Sequence, residues 1–419
     1  MAKIKNIVAR EILDSRANPT IETMVVLEND LWAKASVPAG ASTGKYEACE
    51  LRDGNPERFL GKGVKKAIVN IEEKIAPALQ GKEVSEQKEI DRIMCELDGT
   101  PQKANLGANA ILSVSLATAR TAALNERLPL FQYLRKLFWP DKEKYILPTP
   151  LFNMINGGKH SDSGLDIQEF LVIPKGANSF KEKLRIGAEI FYALREILAS
   201  KGFSFACGDE GGFAPKLGTT IKVFDTLSQI ANFTKHSLGD TVFFGFDAAA
   251  NYFYSPKKKA YNFEGHLRKT DWLIKFYKKC IKEYPIFLIE DPLNEDDFDL
   301  WAKLTNEINI INPQVLIVGD DLFSTNIERL AKGIALKAAN AILIKPNQIG
   351  TLSETVDCFD LAQKNGWQTI ISHRSGETND TFIADLAVAA NASFIKAGAP
   401  NRGERVAKYN RLLEIEEII

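Results

Sequence analysis

The chain has 419 residues, too many for one small core and enough for a barrel of about 250 residues plus a second domain. Lys plus Arg number 53 against 54 Asp plus Glu, which leaves no basic field to draw nucleic acid and no acidic excess of the kind that keeps a chain unfolded. The five cysteines, Cys49, Cys95, Cys207, Cys280 and Cys358, are scattered without a C-x-x-C pair and suit reduced thiols in a cytoplasmic protein.

At the start of the chain, Arg10, Glu11, Asp14 and Arg16 interrupt before any long apolar run can form, so no export signal is expected. Residues 3–36 alternate apolar and polar positions, with turn signals at Ala17-Asn18-Pro19 and Glu28-Asn29-Asp30, and predict a three-stranded antiparallel meander. The following loop, Val37 to Lys45, fails the phosphate-cradling pattern G-x-x-x-x-G-K-[ST]: Ala39 stands where the first glycine is required and Tyr46 where a hydroxyl is required. A Gly-bounded lid is the expected role. Helical spacing then occupies residues 57–79, 85–97 and 105–124. The last stretch is weakly polar, but Asn105, Asn109, Ser113, Ser115, Thr118 and Arg120 suit a buried helix of small residues and no membrane span. Strands followed by helices make an α+β cap, set at residues 1–138. A polar, proline-containing stretch at 139–144 marks the boundary to a second domain at 145–419.

That domain opens on two strand-like runs, 151–155 and 167–173, joined by Asn156-Gly157-Gly158-Lys159-His160, and two helical stretches follow at 180–199 and 219–237. Six short apolar runs then end on Asp247, Glu290, Asp320, Lys345, His373 and Lys396, with endpoints 23 to 43 residues apart. Each interval has room for a loop, a helix and the return to a parallel strand, so the expected fold class is α/β, a (β/α)8-type barrel. Strand ends in such a barrel converge on one mouth, which gathers three carboxylates, two lysines and a histidine.

Three converging carboxylates cannot all stay ionised without a cation, and oxygen-only ligation favours Mg²⁺ over Zn²⁺. Lys345 and Lys396, each beside another cation and partly desolvated, are expected to have lowered pKa values; a lysine of this kind serves as a base, binds an anion when charged, or forms a Schiff base. The pair alone leaves the reaction open. The turn Ser372-His373-Arg374-Ser375-Gly376-Glu377-Thr378, just before a helix expected near Asp380, offers a guanidinium, a hydroxyl and free amides to a phosphate. Gly208-Asp209-Glu210-Gly211-Gly212 and Gln168-Glu169, with His160 nearby in sequence, add carboxylates on backbone that glycine lets approach closely.

These segments, together with Ala39-Gly40-Ala41-Ser42-Thr43-Gly44, Ile289-Glu290-Asp291-Pro292, Gly319-Asp320-Asp321-Leu322 and Lys345 to Leu352, closely resemble the enolase family from about Ile7 to Glu417. The resemblance implies a barrel of ββαα(βα)6 order under an N-terminal α+β cap. It also implies reversible dehydration of 2-phospho-D-glycerate to phosphoenolpyruvate, a glycolytic and gluconeogenic step, with two Mg²⁺ per active site. Carried over motif by motif, Lys345 is the base and Glu210 the acid. Asp247, Glu290 and Asp320 hold the first Mg²⁺, and Ser42 on the lid helps hold the second. Lys396 neutralises the substrate carboxylate, Arg374 and Ser375 bind its phosphate, and His160, Gln168, Glu169 and His373 complete the pocket and tune its proton chemistry. A homodimer or octamer is implied as well. The sequence departs from the family pattern at Ala39, where serine is common, at Ala17, where glycine is usual, and at Asn251-Tyr252, where Ser-Glu is usual; Pro346 directly follows the proposed base. Two other readings compete: a different lyase or racemase of the superfamily, against which the phosphate turn argues, and a non-catalytic binding role.

Overall fold

The computed structural model describes residues 2–40 and 44–419. The meander forms as the alternation predicts: β1 (Ile4–Leu13), β2 (Pro19–Leu27) and β3 (Trp32–Ser36) pair antiparallel in that order. The turn between β1 and β2 places Ala17 at φ 58°, in the left-handed region where glycine is at ease and alanine is not. Ile21, Val25 and Leu27 of β2 are buried, and the helix Ala108–Asn125 covers the same sheet. Small residues allow that helix to lie close, and the Thr23 hydroxyl meets the Ser113 hydroxyl at 2.6 Å inside the interface. Nearly every side chain of this helix is buried, which is why its sequence is weakly polar all round.

The helix expected over 57–79 is broken. A 3-10 turn at Phe59–Gly61 precedes the helix Lys65–Asn70, and a π-helical stretch Ile71–Ile75 leads into Ala76–Leu79. Pro77 has no amide hydrogen to give to the turn before it, and widening that turn accommodates the ring. The helix Gln87–Asp98 lies within two residues of its expected place. Leu130–Phe138 forms a further helix that the sequence reading did not resolve.

The second domain is a closed eight-stranded barrel. Its strands are β4 (Thr149–Asn156), β5 (Glu169–Ile173) and β6 (Phe243–Asp247), then, after a small antiparallel sheet of β7 (Tyr254–Ser255), β8 (Ala260–Phe263) and β9 (His266–Arg268), β10 (Ile286–Glu290), β11 (Leu316–Gly319), β12 (Ala341–Ile344), β13 (Gln368–Ser372) and β14 (Phe394–Lys396). Around the barrel the order is β10-β11-β12-β13-β14-β4-β5-β6. Two strands, the helices Phe180–Ser200 and Thr220–Ser228, and then six strand–helix units give the order ββαα(βα)6. The second of those helices stops at Ser228, where 237 was expected, and only a 3-10 turn, Gln229–Asn232, extends it. Hydroxyls of Thr226, Ser228 and Thr234 donate to carbonyls four residues back, a competition that weakens a helix end.

One strand runs against the rest. The link from β4 to β5 is too short for a helical crossover, so β5 pairs antiparallel with both β4 and β6. Its first residue, Glu169, therefore shares the mouth with the last residues of its neighbours, pairing with Asp247 as Asp247 pairs with Glu290. Among the described residues no helix is long and apolar enough to cross a membrane. The cap sits over this mouth, where Ala39 exchanges both backbone hydrogen bonds with Gly376, at 2.8 and 2.9 Å.

Candidate active site

Strand alternation decides which side chains enter the mouth. Leu171, Leu288, Val318, Leu343, Ile370 and Phe394 form the dry interior of the barrel. Two residues along, on the same face, stand Glu169, Glu290, Asp320, Lys345, Ser372 and Lys396. Lys345 keeps the extended backbone expected of a residue before proline, φ −125° and ψ 105°, and Pro346 begins a short helix at the one position where a missing amide costs nothing.

Charges pair inside this mouth. The Lys396 ammonium lies 2.9 and 2.8 Å from the two Glu290 oxygens, 3.2 Å from Glu169 Oε1 and 3.5 Å from Asp247 Oδ2. Gln168 donates to the same Asp247 oxygen at 3.3 Å. Lys345 makes a close ion pair with Asp320, whose other oxygen accepts from Gln348 at 2.9 Å. Thr325 completes that arrangement, donating to Gln348 Oε1 and accepting the Lys345 amide. The expected lowering of the lysine pKa values is corrected here. Burial is the largest single effect and pushes Lys345 down, yet the net shift is upward, with Asp320 on the adjacent strand the first and Glu290 the second of the raising influences. Burial opposes the charge of Lys396 too, and the carboxylates Glu169, Glu290 and Asp247 carry its pKa well above the ordinary value.

Asp247, Glu290 and Asp320 thus border one mouth, the first two on Lys396 and the third on Lys345. Among the described residues, the ligand atoms that come within 4.8 Å of one another belong to two sets, His160 with Glu169 and Glu210, and Asp291 with Asp320 and Asp321. Asp291 also splints the end of β11, accepting the amides of Asp320 and Asp321 at 3.0 and 2.8 Å. The donor chemistry fits a hard divalent ion: the carboxylates are buried, they offer oxygen only, and the positions between them are already taken by ammonium groups. Ser42 lies outside the described residues.

Across the barrel from β12, four strands away, is β5 with Glu169, and the Glu210 loop packs on β4 beside it. His160 stands between the two carboxylates, 3.6 Å from Glu169 Oε1 and 3.7 Å from Glu210 Oε1. Glu210 Oε2 accepts from Asn153 at 3.2 Å and lies 3.4 Å from His373 Nε2. Burial pushes His373 down to about 4, and burial likewise lowers His160, so both imidazoles are neutral near pH 7. Arg405, fully buried, donates to His373 Nδ1 at 2.6 Å, which puts the imidazole hydrogen on Nε2, facing Glu210. Burial and the charge of Glu210 hold the Glu169 carboxyl well above the usual carboxylate range, so it keeps its proton. Asn153 Oδ1, both polar atoms of Asn156, His160 Nδ1 and Glu169 Oε2 are buried without a protein partner and line this side with unspent polar groups.

The phosphate turn differs in one respect from its sequence reading. Four of its amides are taken: Arg374 N–H goes to Glu377, Gly376 N–H to Ala39, Glu377 N–H to Ser15 and Thr378 N–H to Glu377. The helix that follows starts at Phe382 and is capped by Asp380. The guanidinium of Arg374 and the Ser375 hydroxyl, 3.4 Å from His160 Nε2, remain as the side-chain donors of the turn. Sequence reasoning missed Arg405, which also bonds the carbonyls of Asp209, Arg374 and Ser375, and it missed Glu47, paired with Arg374. Neither lies in a glycine-rich motif or at a strand end, the two local signals that mark the other residues of the site. The departure Asn251 bonds Asp321 and the 294–295 turn, and Tyr252 packs under the Lys159 ammonium. The space enclosed by these groups is about 40 Å³, room for about one water.

Comparison with known proteins shows the family of the chain. The family described as "Enolase, C-terminal TIM barrel domain" matches residues 144–419, and that described as "Enolase, N-terminal domain" matches residues 4–134. The enolase of Corynebacterium kroppenstedtii is 51% identical over 419 residues, covering 100% of this chain and 96% of the relative. That of Kineococcus radiotolerans is 50% identical over 417 residues, covering 100% of this chain and 94% of the relative.

Proposed function

Because the chain belongs to the enolase family, we infer that it is a hydro-lyase converting 2-phospho-D-glycerate reversibly to phosphoenolpyruvate, with two Mg²⁺ per active site. The observation that carries the residue assignments is the opposition of Lys345, at the end of β12, to Glu169 and Glu210 on the far wall of the same mouth.

The proton to be removed lies next to a carboxylate and is very weakly acidic, so the reaction needs a base on one side, an acid on the other, and positive charge for the intermediate. Lys345 is the base. With the charge of Asp320 compensated, burial, Arg374 and Lys396 all act to lower its pKa and free its lone pair. Glu210 delivers the proton to the departing hydroxyl, and Glu169, which holds a proton beside it, is the source that resupplies it through His160. His373, neutral and locked by Arg405, keeps a hydrogen-bond donor on Glu210. Lys396 neutralises the substrate carboxylate, and Arg374 with Ser375 takes the phosphate. Asp247, Glu290 and Asp320 would hold the first Mg²⁺ and Ser42 would help hold the second; the ions would supply the concentrated positive charge that an enolate-like intermediate requires.

In this reading residues 1–138 form the cap with its lid and residues 145–419 the catalytic barrel, acting in the cytoplasm. Copies of the chain assemble as a dimer or octamer. A groove of about 960 Å³ between β1 and the barrel, bordered by Leu13, Glu22, Arg411 and Glu414, supports an interface between copies, and light scattering of the purified protein tests it. The activity is tested by following enol absorbance with 2-phosphoglycerate. A rise that needs Mg²⁺ and stops with EDTA is expected; no rise with saturating Mg²⁺ refutes the assignment.

A further inference from the structure

One ion pair at the joint between cap and barrel is not accounted for by the reaction scheme. Arg374 comes from the turn after β13, and Glu47 from the cap, 327 residues earlier in the chain. Glu47 Oε2 accepts from Arg374 Nη1 at 2.9 Å and Glu47 Oε1 from Nη2 at 3.1 Å, a two-point match of carboxylate to guanidinium. Both side chains are almost wholly buried, and both line the active-site cavity. Asn347 Oδ1 accepts a further Nη1 hydrogen at 3.0 Å, so both hydrogens on that nitrogen are engaged.

Glu47 is itself firmly mounted. The next residue, Ala48, gives its amide to the Gln348 carbonyl of the barrel at 2.7 Å. Glu47 Oε1 also accepts the Gly44 amide at 2.9 Å, and a Cβ at position 44 would lie 3.3 Å from that oxygen. Glycine there leaves the carboxylate its place, and the same oxygen links the Gly44 amide to the guanidinium.

We propose that Glu47 is a positioning residue for phosphate recognition: by occupying the Nη1–Nη2 fork it holds the Arg374 guanidinium in one plane and orientation, so that the group meets the substrate phosphate on an edge not given to Glu47 or Asn347 and without first being ordered. The inference rests on the reading of Arg374 as a phosphate ligand. A long arginine side chain loses much rotational freedom when it binds, and a fixed fork has lost it beforehand. Glu47 touches neither reacting carbon nor transferred proton. Its removal therefore weakens binding of phosphate in substrate and transition state alike, which raises KM and leaves kcat nearly untouched.

The test compares Glu47→Gln, Glu47→Asp and Arg374→Lys in the full-length protein, with inorganic phosphate as a competitive inhibitor of 2-phosphoglycerate turnover. For Glu47→Gln, KM and the phosphate inhibition constant are expected to rise together by roughly ten-fold, as for other outer-shell orienting groups, with kcat within about three-fold. Glu47→Asp, which keeps the charge on a shorter arm, is expected to fall between Glu47→Gln and the parent. Unchanged constants in a folded Glu47→Gln protein overturn the proposal, as does a fall in kcat alone. If Glu47→Gln does not fold, constants for Glu47→Asp identical to the parent overturn it. Arg374→Lys separates the two readings: if it leaves phosphate inhibition unaltered, the phosphate role of Arg374 fails and this inference with it, whereas a large effect there beside a silent Glu47→Gln defeats this inference alone.

Discussion

Replacing Lys396 by methionine keeps most of the side-chain volume and removes the charge on which Glu290, Glu169 and Asp247 converge. Removing one partner of a buried ion pair costs about 3–5 kcal/mol, because the charge left behind has neither water nor counter-ion. These carboxyls can escape part of that cost by taking up protons, which makes the loss depend on pH. Burial first, and Asp247 second, already push Glu290 up to about 8, against the opposing pull of Lys396. A carboxyl whose folded pKa is raised contributes stability that is fully present below its unfolded pKa and is lost as pH rises through the folded value. Without the ammonium the folded values of Glu290 and Glu169 climb further, so the decline extends beyond pH 8, at about 1.4 kcal/mol per pH unit for each additional proton held by the folded state. In urea melts of EDTA-treated protein, Lys396→Met is therefore expected to be less stable than the parent, by a margin that widens as pH rises from about 7.5 to about 9.5, through and above the parent value of Glu290. Excess Mg²⁺ should narrow the gap, since an ion that binds only the folded state raises its stability by mass action. A metal-free difference below about 1 kcal/mol and flat across this range would refute the electrostatic account of the site.

Lys345→Ala is expected to lower kcat by about 10²- to 10⁴-fold, the usual contribution of a positioned base, while circular dichroism of the fold is unchanged; retained turnover would remove Lys345 from that role. Ala17→Gly relieves a left-handed alanine at φ 58° and is expected to stabilise the protein by about 0.5–1 kcal/mol, after allowance for the greater freedom of glycine in the unfolded chain. Differential scanning calorimetry reads this as a higher Tm, and a lower one would mean the turn tolerates alanine without strain.

The parts of the fold written in short-range periodicity were legible. Leu343 and Lys345, or Phe394 and Lys396, are two residues apart, and a strand must put both on the same side; the apolar member identifies the interior and the charged member the mouth. The reversal of β5 was legible in part, since the eleven residues 156–166 between the two strand-like runs leave no room for a crossover helix. Distance was not legible. The sequence places Lys345 among cations and acids without telling which lies nearest, and the sign of its pKa shift turns on Asp320 being closest. The amides of the 374–378 turn are bonded to Ser15, Ala39 and Glu377, two of them residues of the cap, and no local pattern announces such contacts. Arg405 and Glu47 escaped for the same reason, because each is defined by a partner on a distant element.

The charge inventory of the mouth argues for a cation independently of any motif. Among the described residues, seven carboxyl groups, Glu47, Glu169, Glu210, Asp247, Asp291, Asp320 and Asp321, line the cavity with only Lys345, Arg374 and Lys396 to oppose them, and the two histidines there are neutral near pH 7. Each of the three cations is already held by an internal carboxylate, so a substrate carrying a phosphate and a carboxylate would meet no unopposed positive charge. Protonation relieves part of the imbalance, since burial raises Glu169, Asp291 and Asp321, the last to about 7. Those acids are not the partners of Lys345 and Arg374, however, which stay paired with Asp320 and Glu47. Asp247, Glu290 and Asp320 would hold a divalent ion, whose charge would compensate the oxygens now paired with Lys396 and Lys345 and leave those two ammonium groups able to face an anion. The same carboxylates that would repel the substrate thus become, once compensated, the reason its two negative groups are bound at all.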